Sequence, residues 1–179
     1  FSKNSEISKA DFYTFGRLSY DLQINCETCN LIYLNGFAPQ KGPRSVFKSK
    51  LMQAPLLYAS TSNQAMLSGS VVGEYVSSKT QKYIINIIEK VAKTYATWSG
   101  RPLFLKTPRV LIFNTYQEKK GWAFVSYPTI AMTKFSANTL ETEEWGEGFI
   151  AHEVAHYFFG DRLKPKGKEF WFLLESFAE

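Results

Sequence analysis

The hydrophobic pattern of the chain predicts an α+β fold whose first part is rich in strands. Up to residue 78, short apolar runs with two-residue alternation are separated by turn residues, which is typical of β-strands. A long amphipathic segment follows, and then a small mixed sheet and two helical segments. Strands and helices grouped in this way along a chain indicate an α+β arrangement. We therefore expect a β-rich subdomain over residues 1–78 and an α/β subdomain over residues 79–179.

The β-rich part is expected to contain five short strands. They cover residues 18–24, 31–34, 55–59, 65–67 and 71–76. The polar stretch between Gly36 and Lys50 is predicted to be a loop. Cys26 and Cys29 form a C-x-x-C in a turn between two strands, and the sequence leaves open whether they form a local disulfide or remain two ordinary thiols.

The segment after Ser78 has the pattern of a long amphipathic helix. Ser78 and Gln81 match a capping box, in which side chains satisfy the first free backbone N–H groups. Gly100 is a suitable C-terminal cap, so the helix is predicted to end there. Apolar residues recur at helical spacing on one stripe, which is expected to face the core: Ile84, Ile88, Val91, Tyr95 and Trp98.

Three strands and a further helix are predicted between residues 109 and 160. Residues 109–115 contain an unbroken apolar run from Val110 to Phe113 and are expected to form a central strand, with two more strands at residues 121–126 and 129–132. The acidic residues 141–144 suit the first turn of the next helix, because carboxylates are favoured at the positive end of the helix dipole. That helix is predicted to run to about Phe159, with Gly160 as its C-cap.

Composition and charge exclude several classes of protein. Hydrophobic residues make up 45% and aromatic residues 16% of the 179 residues, as in a globular protein. The formal net charge of +5 comes from scattered lysines and arginines rather than from a basic stripe, so we expect no nucleic-acid partner. The apolar runs are too short for a transmembrane segment. Because the chain begins with Phe1 and ends at Glu179 inside a helical pattern, we expect the full protein to continue beyond it.

The most informative chemical pattern is H-E-x-x-H at residues 152–156. His152 and His156 are four residues apart, so on a helix they share a face and both imidazoles can reach one metal ion. Glu153 lies beside them, where it can act on water as a general base. Glu175 follows His156 after eighteen residues and can supply the third ligand of a catalytic zinc site. We therefore expect a hydrolase with one Zn²⁺ per chain; the alternative is a pair of core histidines.

From His152 to Glu179 the sequence resembles the zinc aminopeptidases of the aminopeptidase N and leukotriene hydrolase type, which are gluzincins. The family pattern is H-E-x-x-H, eighteen residues and then Glu, and all four positions match. Residues 158–160 and 171–178 resemble the family's flanking segments, although Leu174 and Ser176 replace its Asn and Gly. The resemblance implies the N-terminal part of a thermolysin-like catalytic domain, truncated after the third zinc ligand.

The resemblance also implies a metallopeptidase that hydrolyses peptide bonds with Glu153 as general base, and an aminopeptidase-like specificity. The family's exopeptidases carry Gly-x-Met-Glu-Asn on the substrate strand, whereas the corresponding strand here begins Gly121, Trp122 and Ala123. These three residues are expected to contact the substrate backbone. Glu118, just upstream, could replace the missing amine-binding Glu, but a surface turn is the favoured interpretation.

Several points stay open on the sequence alone. Asp161 or Glu179 could orient a ligand histidine, or could be surface or cap residues. The family's oxyanion-stabilising tyrosine lies beyond Glu179. Besides an aminopeptidase, the alternatives are an endopeptidase of the same clan and a non-catalytic zinc-binding scaffold, and the intact Glu153 argues against the scaffold. We expect a peptide or protein substrate and favour an extracytoplasmic over a cytoplasmic location; the sequence does not indicate side-chain specificity or oligomeric state.

Overall fold

The computed structural model describes residues 18–42, 44–52, 55–104, 107–115, 121–140, 142, 145–159, 175–176 and 178. The described residues form a mixed α+β fold, so this part of the prediction is confirmed. In chain order the elements are β1 (Leu18–Asn25), β2 (Leu31–Leu34), β3 (Arg44–Met52), β4 (Leu57–Ser60), β5 (Met66–Ser68), β6 (Val71–Gly73), α1 (Ser78–Ser99), β7 (Arg109–Phe113), β8 (Ala123–Ser126), β9 (Thr129–Thr133), α2 (Lys134–Thr139) and α3 (Gly146–Ala155).

A five-stranded sheet with the strand order β5-β6-β7-β9-β8 lies at the centre of the described structure. Strands β6, β7 and β9 are parallel, whereas β5 and β8 run antiparallel at the two edges. The middle position of β7 confirms the prediction of a central strand and agrees with its continuous apolar sequence. β5 and β6 precede residue 78, so the sheet takes strands from both sides of the predicted subdomain boundary. That division of the chain stays a prediction.

Alternate residues of the strands face different hydrophobic clusters. In β7, Val110 and Ile112 pack with residues of the helices, whereas Leu111 packs against β2 residues on the opposite face of the sheet. In β2, Tyr33 faces the five-stranded sheet and Ile32 packs with Phe47 of β3. The described elements therefore form four layers: the helices, the five-stranded sheet, the β2–β4 pair and the β1–β3 pair.

β3 replaces the loop that the sequence predicts between Gly36 and Lys50. It pairs antiparallel with β1 over almost its whole length. Ser45 and Phe47 are buried while Val46 and Lys48 are exposed, which is the alternation of a half-buried strand. The loop prediction was wrong because the segment is polar on average, although only every second side chain faces the core.

The start of α1 differs from the prediction by one residue. The hydroxyl of Ser77, not of Ser78, accepts a hydrogen bond from the backbone N–H of Thr80 at 3.0 Å. The side chain of Gln81 donates to the carbonyl of Val76 at 3.0 Å and does not close a capping box on Ser78.

The end of α1 is as predicted. Gly100 has φ 69°, a left-handed conformation that favours glycine and terminates a helix. Ile84 and Ile88 are fully buried, but Trp98 is 68% exposed, so the predicted core-facing stripe does not extend to the last turn. Among the described residues, none of the helices combines the length and the apolar character that a bilayer crossing requires.

Two further helices follow the sheet. α2, a short helix that is capped by the hydroxyl of Thr133, was not predicted from the sequence. α3 ends at Ala155 rather than near Phe159, and His156 occupies the C-cap position. The predicted cap Gly160 lies outside the described residues, as does most of the acidic segment 141–144 and most of the predicted last helix.

Candidate metal centre

α3 holds the two histidines of the motif at one end of the helical layer. The helix packs against α1 and contacts β8. Ile150 and Val154 anchor it in the core that lies between the helices and the sheet. His156 keeps helical dihedral angles, φ −61° and ψ −20°, and its backbone N–H donates to the carbonyl of His152 at 3.3 Å. The early end of the helix therefore leaves the four-residue spacing intact, and the two imidazoles share one face.

The structure brings three metal-ligand types together at this face. The Nε2 atoms of His152 and His156 lie 3.2 Å apart. A carboxylate oxygen of Glu175 lies 3.3 Å from Nε2 of His152, and the other lies 3.7 Å from Nε2 of His156. Among the described residues, these three side chains are the group whose donor atoms could hold one metal ion, all within 4.8 Å of one another. His156 and Glu175 are thus neighbours in space although eighteen residues lie between them in sequence.

The donor set fits zinc in both geometry and chemistry. Donors bound to one tetrahedral Zn²⁺ at about 2.0–2.2 Å are separated from each other by about 3.3–3.5 Å. The Nε2–Nε2 separation of 3.2 Å lies close to that range, as do the two Glu175 contacts, 3.3 Å from one carboxylate oxygen to His152 and 3.7 Å from the other to His156. Two imidazoles and one carboxylate leave a fourth tetrahedral position, which is the composition of catalytic rather than structural zinc sites. His152, His156 and Glu175 could therefore hold Zn²⁺ with little movement.

The environment of His156 favours the form of imidazole that binds a metal. Its Nδ1 lies 3.4 Å from the carbonyl of Phe159, and an N–H at Nδ1 that donates to this carbonyl leaves Nε2 with a free lone pair. Burial lowers the pKa of His156, although the charge of Glu175 acts in the opposite direction. The ring is thus kept neutral by desolvation and oriented by a backbone acceptor.

Glu153 is a buried acidic residue beside the three possible ligands. It is only 5% exposed, and Oε2, one of its two carboxyl oxygens, makes no hydrogen bond within the described part of the chain. Burial, with a further contribution from the charge of Glu175, raises the pKa of Glu153 to about 8. A buried carboxyl oxygen without a hydrogen-bond partner destabilises a fold, so its presence beside three metal-ligand groups is more typical of a functional site than of core packing.

The predicted substrate-contacting residues lie at the start of the edge strand β8. The carbonyl of Trp122 accepts from the N–H of Thr133 at 2.9 Å, so the polar backbone groups of Trp122 face β9. Because these groups alternate along an antiparallel strand, those of Ala123 and Val125 point to the opposite edge. Among the described residues, β8 pairs only with β9, so that edge has no described strand beside it. Gly121 precedes the strand and packs near Ser136.

Three other predicted positions cannot be placed relative to this centre. Glu118, the possible amine-binding residue, and the possible orienting acids Asp161 and Glu179 all lie outside the described residues. Their assigned roles stay predictions.

A cleft of about 670 Å³ opens beside His152 and Glu153, between α1 and α3. Its wall includes the aromatic side chains of Tyr95, Trp145 and Phe149. From the sequence, Tyr95 was predicted to pack in the core, and no role was predicted for Trp145 or Phe149. Their spacing carried a usable signal, since residues 145, 149 and 152 recur at helical intervals and therefore share the face of the first histidine.

The two cysteines form a disulfide, which resolves the alternative that the sequence left open. Cys29 packs with Ile32 and Phe47 in the cluster between the two β-strand pairs. That cluster is separate from the core that supports α3. The cysteines therefore belong to the β-rich layers.

No known protein family, curated protein or solved structure matches this chain. The functional conclusion therefore depends on the geometry and chemistry of the site.

Proposed function

We propose that this chain carries the metal-binding part of a zinc-dependent metallopeptidase that hydrolyses peptide bonds. The observation that supports this proposal is the convergence of His152, His156 and Glu175 beside the buried carboxyl of Glu153. Three donors alone would suit a scaffold as well as an enzyme. The adjacent carboxyl of Glu153, with its raised pKa, separates the two. A hydrolase requires such a group as a base, whereas a scaffold does not.

The residues divide into ligands and a base. His152, His156 and Glu175 would hold Zn²⁺, which supplies Lewis acidity for the activation of water and of a carbonyl group. A nearby dication favours the ionised form of Glu153 and counteracts the effect of burial on its pKa. Glu153 would then accept a proton from the attacking water and deliver it to the leaving amine. Burial of Glu153 keeps bulk water from competing for that proton.

The edge strand β8 offers a place for the peptide backbone. Ala123 and Val125 direct backbone donors and acceptors away from β9, and an extended peptide can pair with such an edge as an added strand. α3 contacts β8, so a peptide on this edge would run beside the helix that carries the histidines. Aminopeptidase-like specificity is the preferred form of the proposal and rests on the sequence resemblance.

A Glu153→Gln variant tests the proposal directly, with Glu147→Gln as the matched control. Glu147 is an exposed acid on the same helix, so its replacement leaves the site unchanged. We expect Glu153→Gln to retain one zinc per chain while kcat/KM falls by about 10²–10⁴-fold. Zinc is measured by elemental analysis of the longest form of the protein that folds. Activity is measured with a fluorogenic aminoacyl substrate and an internally quenched peptide.

Each result of that experiment distinguishes one interpretation. Cleavage of the aminoacyl substrate supports an aminopeptidase, and cleavage of the quenched peptide supports an endopeptidase. Zinc binding without cleavage of either would favour the scaffold. Full activity of Glu153→Gln would refute the assignment of the base, and a protein without zinc would refute the metal centre.

The disulfide supports an extracytoplasmic location as part of this proposal. Disulfides persist in oxidising compartments and are rare in the reducing cytosol. Thiol titration of protein taken directly from its native source would test it, since two free thiols would contradict this location.

A further inference from the structure

The cleft beside the metal centre follows one face of α3. Trp145, Gly148 and His152 recur at intervals of three and four residues, so they line up along the helix. From residue 145 to residue 152 this face extends about 10 Å at the α-helical rise. Val91 and Tyr95 of α1 form the facing wall, and Ala178, three residues after Glu175 in sequence, also lines the cleft. The cleft is thus continuous with the proposed site.

The wall is apolar except at the end where the chemistry is proposed. Trp145 and Phe149 contact each other edge to face with ring centroids 5.2 Å apart. Tyr95 is held by stacking on Phe158, with ring centroids 5.8 Å apart. Among the described residues that line the cleft there is no lysine or arginine. Such a surface gains free energy by covering apolar groups and offers no partner for an acidic one.

Trp145 is 43% exposed, which is unusual for so large an apolar side chain next to a buried core. The opposite end of the cleft contains Glu153. This residue is 5% exposed, and its Oε2 has no hydrogen-bond partner among the described residues. An apolar wall that leads to a buried acid with an unpartnered oxygen has the composition of a ligand site, because such sites combine apolar walls with few polar groups.

We propose that this cleft binds a bulky apolar side chain, aromatic or branched aliphatic, of the peptide residue next to the scissile bond. This inference rests on the proposed function and adds its substrate class. The side chain packs between Tyr95 and the Trp145–Phe149 pair, while the peptide carbonyl lies near His152 and Glu153. Peptides with alanine or glycine at that position leave the cleft unfilled and bind more weakly.

Gly148 allows the cleft to be filled without disturbing the fold. It is helical, and a Cβ built on it meets no atom within 4 Å. Gly148→Ala adds a small group and Gly148→Leu a large one, so the pair forms a graded series. Tyr75→Ala is the control, because Tyr75 is a 55% exposed aromatic residue that is not part of the cleft wall.

The experiment compares internally quenched peptides that differ only by Phe, Leu or Ala on either side of the cleaved bond. We expect wild-type kcat/KM for the Phe or Leu peptide to exceed that for the Ala peptide by on the order of tenfold or more. Gly148→Leu should bring this ratio close to one, mainly through KM, and Gly148→Ala should lower it partly. Tyr75→Ala should leave it unchanged. The inference is overturned if kcat/KM is equal for all peptides, or if Gly148→Leu does not alter the ratio between them. Either result still supports peptide hydrolysis.

A binding measurement separates this inference from the proposed function. N-acetyl-phenylalaninamide and N-acetyl-alaninamide are titrated into the zinc-loaded chain, and Trp fluorescence is followed because Trp145 lies in the wall. If no peptide is cleaved, the proposed peptidase function fails. The inference is still supported if the phenylalanine probe binds to the wild type and no longer binds to Gly148→Leu. If the phenylalanine probe binds no better than the alanine probe, the inference fails. Should Gly148→Leu not fold, Gly148→Ala gives the same test with a smaller expected change.

Discussion

The buried carboxyl of Glu153 couples the stability of the metal-free protein to pH. Its pKa is about 8 in the folded chain and 4.5 in an ordinary environment, so between these values the folded state binds more protons than the unfolded state. The free energy of unfolding must therefore decrease as the pH rises from 4.5 to 8, by on the order of a few kcal/mol. Urea unfolding in the presence of a chelator at pH 5 and pH 8 measures this change.

A Glu153→Gln variant isolates that contribution. His156 acts in the opposite direction, because its lowered pKa makes the folded state bind fewer protons than the unfolded state below about pH 6.5. The difference between wild type and Glu153→Gln cancels the part due to His156. We expect this difference to grow steadily from pH 5 to pH 8, and a constant difference would show that Glu153 is not desolvated in the folded protein.

Glu175 is the residue whose role depends most on the three-dimensional structure, since it is distant from the histidines in sequence. Replacing Glu175 with Ala removes one of the three metal ligands. Loss of a residue that only hydrogen-bonds to a ligand typically lowers metal affinity by roughly 10–100-fold, so we expect a larger decrease here. Competition with a chromophoric chelator measures the affinity. Glu147→Ala on α3 is the control, and unchanged zinc affinity in Glu175→Ala would remove Glu175 from the site.

At the scale of the helix, α3 is held in place by a close backbone approach. A Cβ on Gly146 would lie 2.0 Å from the carbonyl oxygen of Leu140, so only glycine fits there. We expect Gly146→Ala to destabilise the protein by about 1–3 kcal/mol, as overpacking does. Gly148→Ala, two residues away in open space, should stabilise it by about 0.5–1 kcal/mol through helix propensity. Thermal unfolding of the two variants should shift in opposite directions, and two shifts of the same sign would contradict this geometry.

The elements that the sequence predicted are those in which local pattern and tertiary burial agree. β7 is apolar from Val110 to Phe113, as expected for a strand with both faces covered, and α1 ends at a glycine that adopts the left-handed conformation. β3 was missed because its segment is polar on average, which hides the burial of every second side chain. α2 was missed because it is too short for a helical period to show.

The candidate site divides in the same way between local and distant information. The spacing of His152, Glu153 and His156 is a local property of one helix, and it could be predicted from the sequence. The cleft could not, because it is formed where α1 and α3 face each other and neither helix alone shows that Tyr95 and Trp145 share a wall. The open edge of β8 likewise follows from the strand order of the whole sheet.

At the scale of the whole molecule, Asn35 joins the β-rich layers to the sheet that carries the proposed substrate strand. It is completely buried. Its Nδ2 donates to the hydroxyl of Ser126 at 3.0 Å and to the carbonyl of Tyr127 at 3.1 Å, in the turn between β8 and β9. Its Oδ1 accepts from the backbone N–H of Leu56 at 2.9 Å, just before β4. One side chain therefore fixes the turn of the edge strand to the layer beneath it.

Replacing Asn35 with Ala should cost about 2–3 kcal/mol of unfolding free energy, because several buried polar groups lose their partner at once. Asn30→Ala is the matched control: this exposed side chain also donates two hydrogen bonds, to Thr61 and Asn63, but water can replace them at a cost below about 1 kcal/mol. Urea unfolding measures both values. If Asn35 positions the edge strand, amide exchange in β8 should accelerate more than in the central strand β7. Equal acceleration in both strands would mean that Asn35 stabilises the fold as a whole without holding β8 in particular.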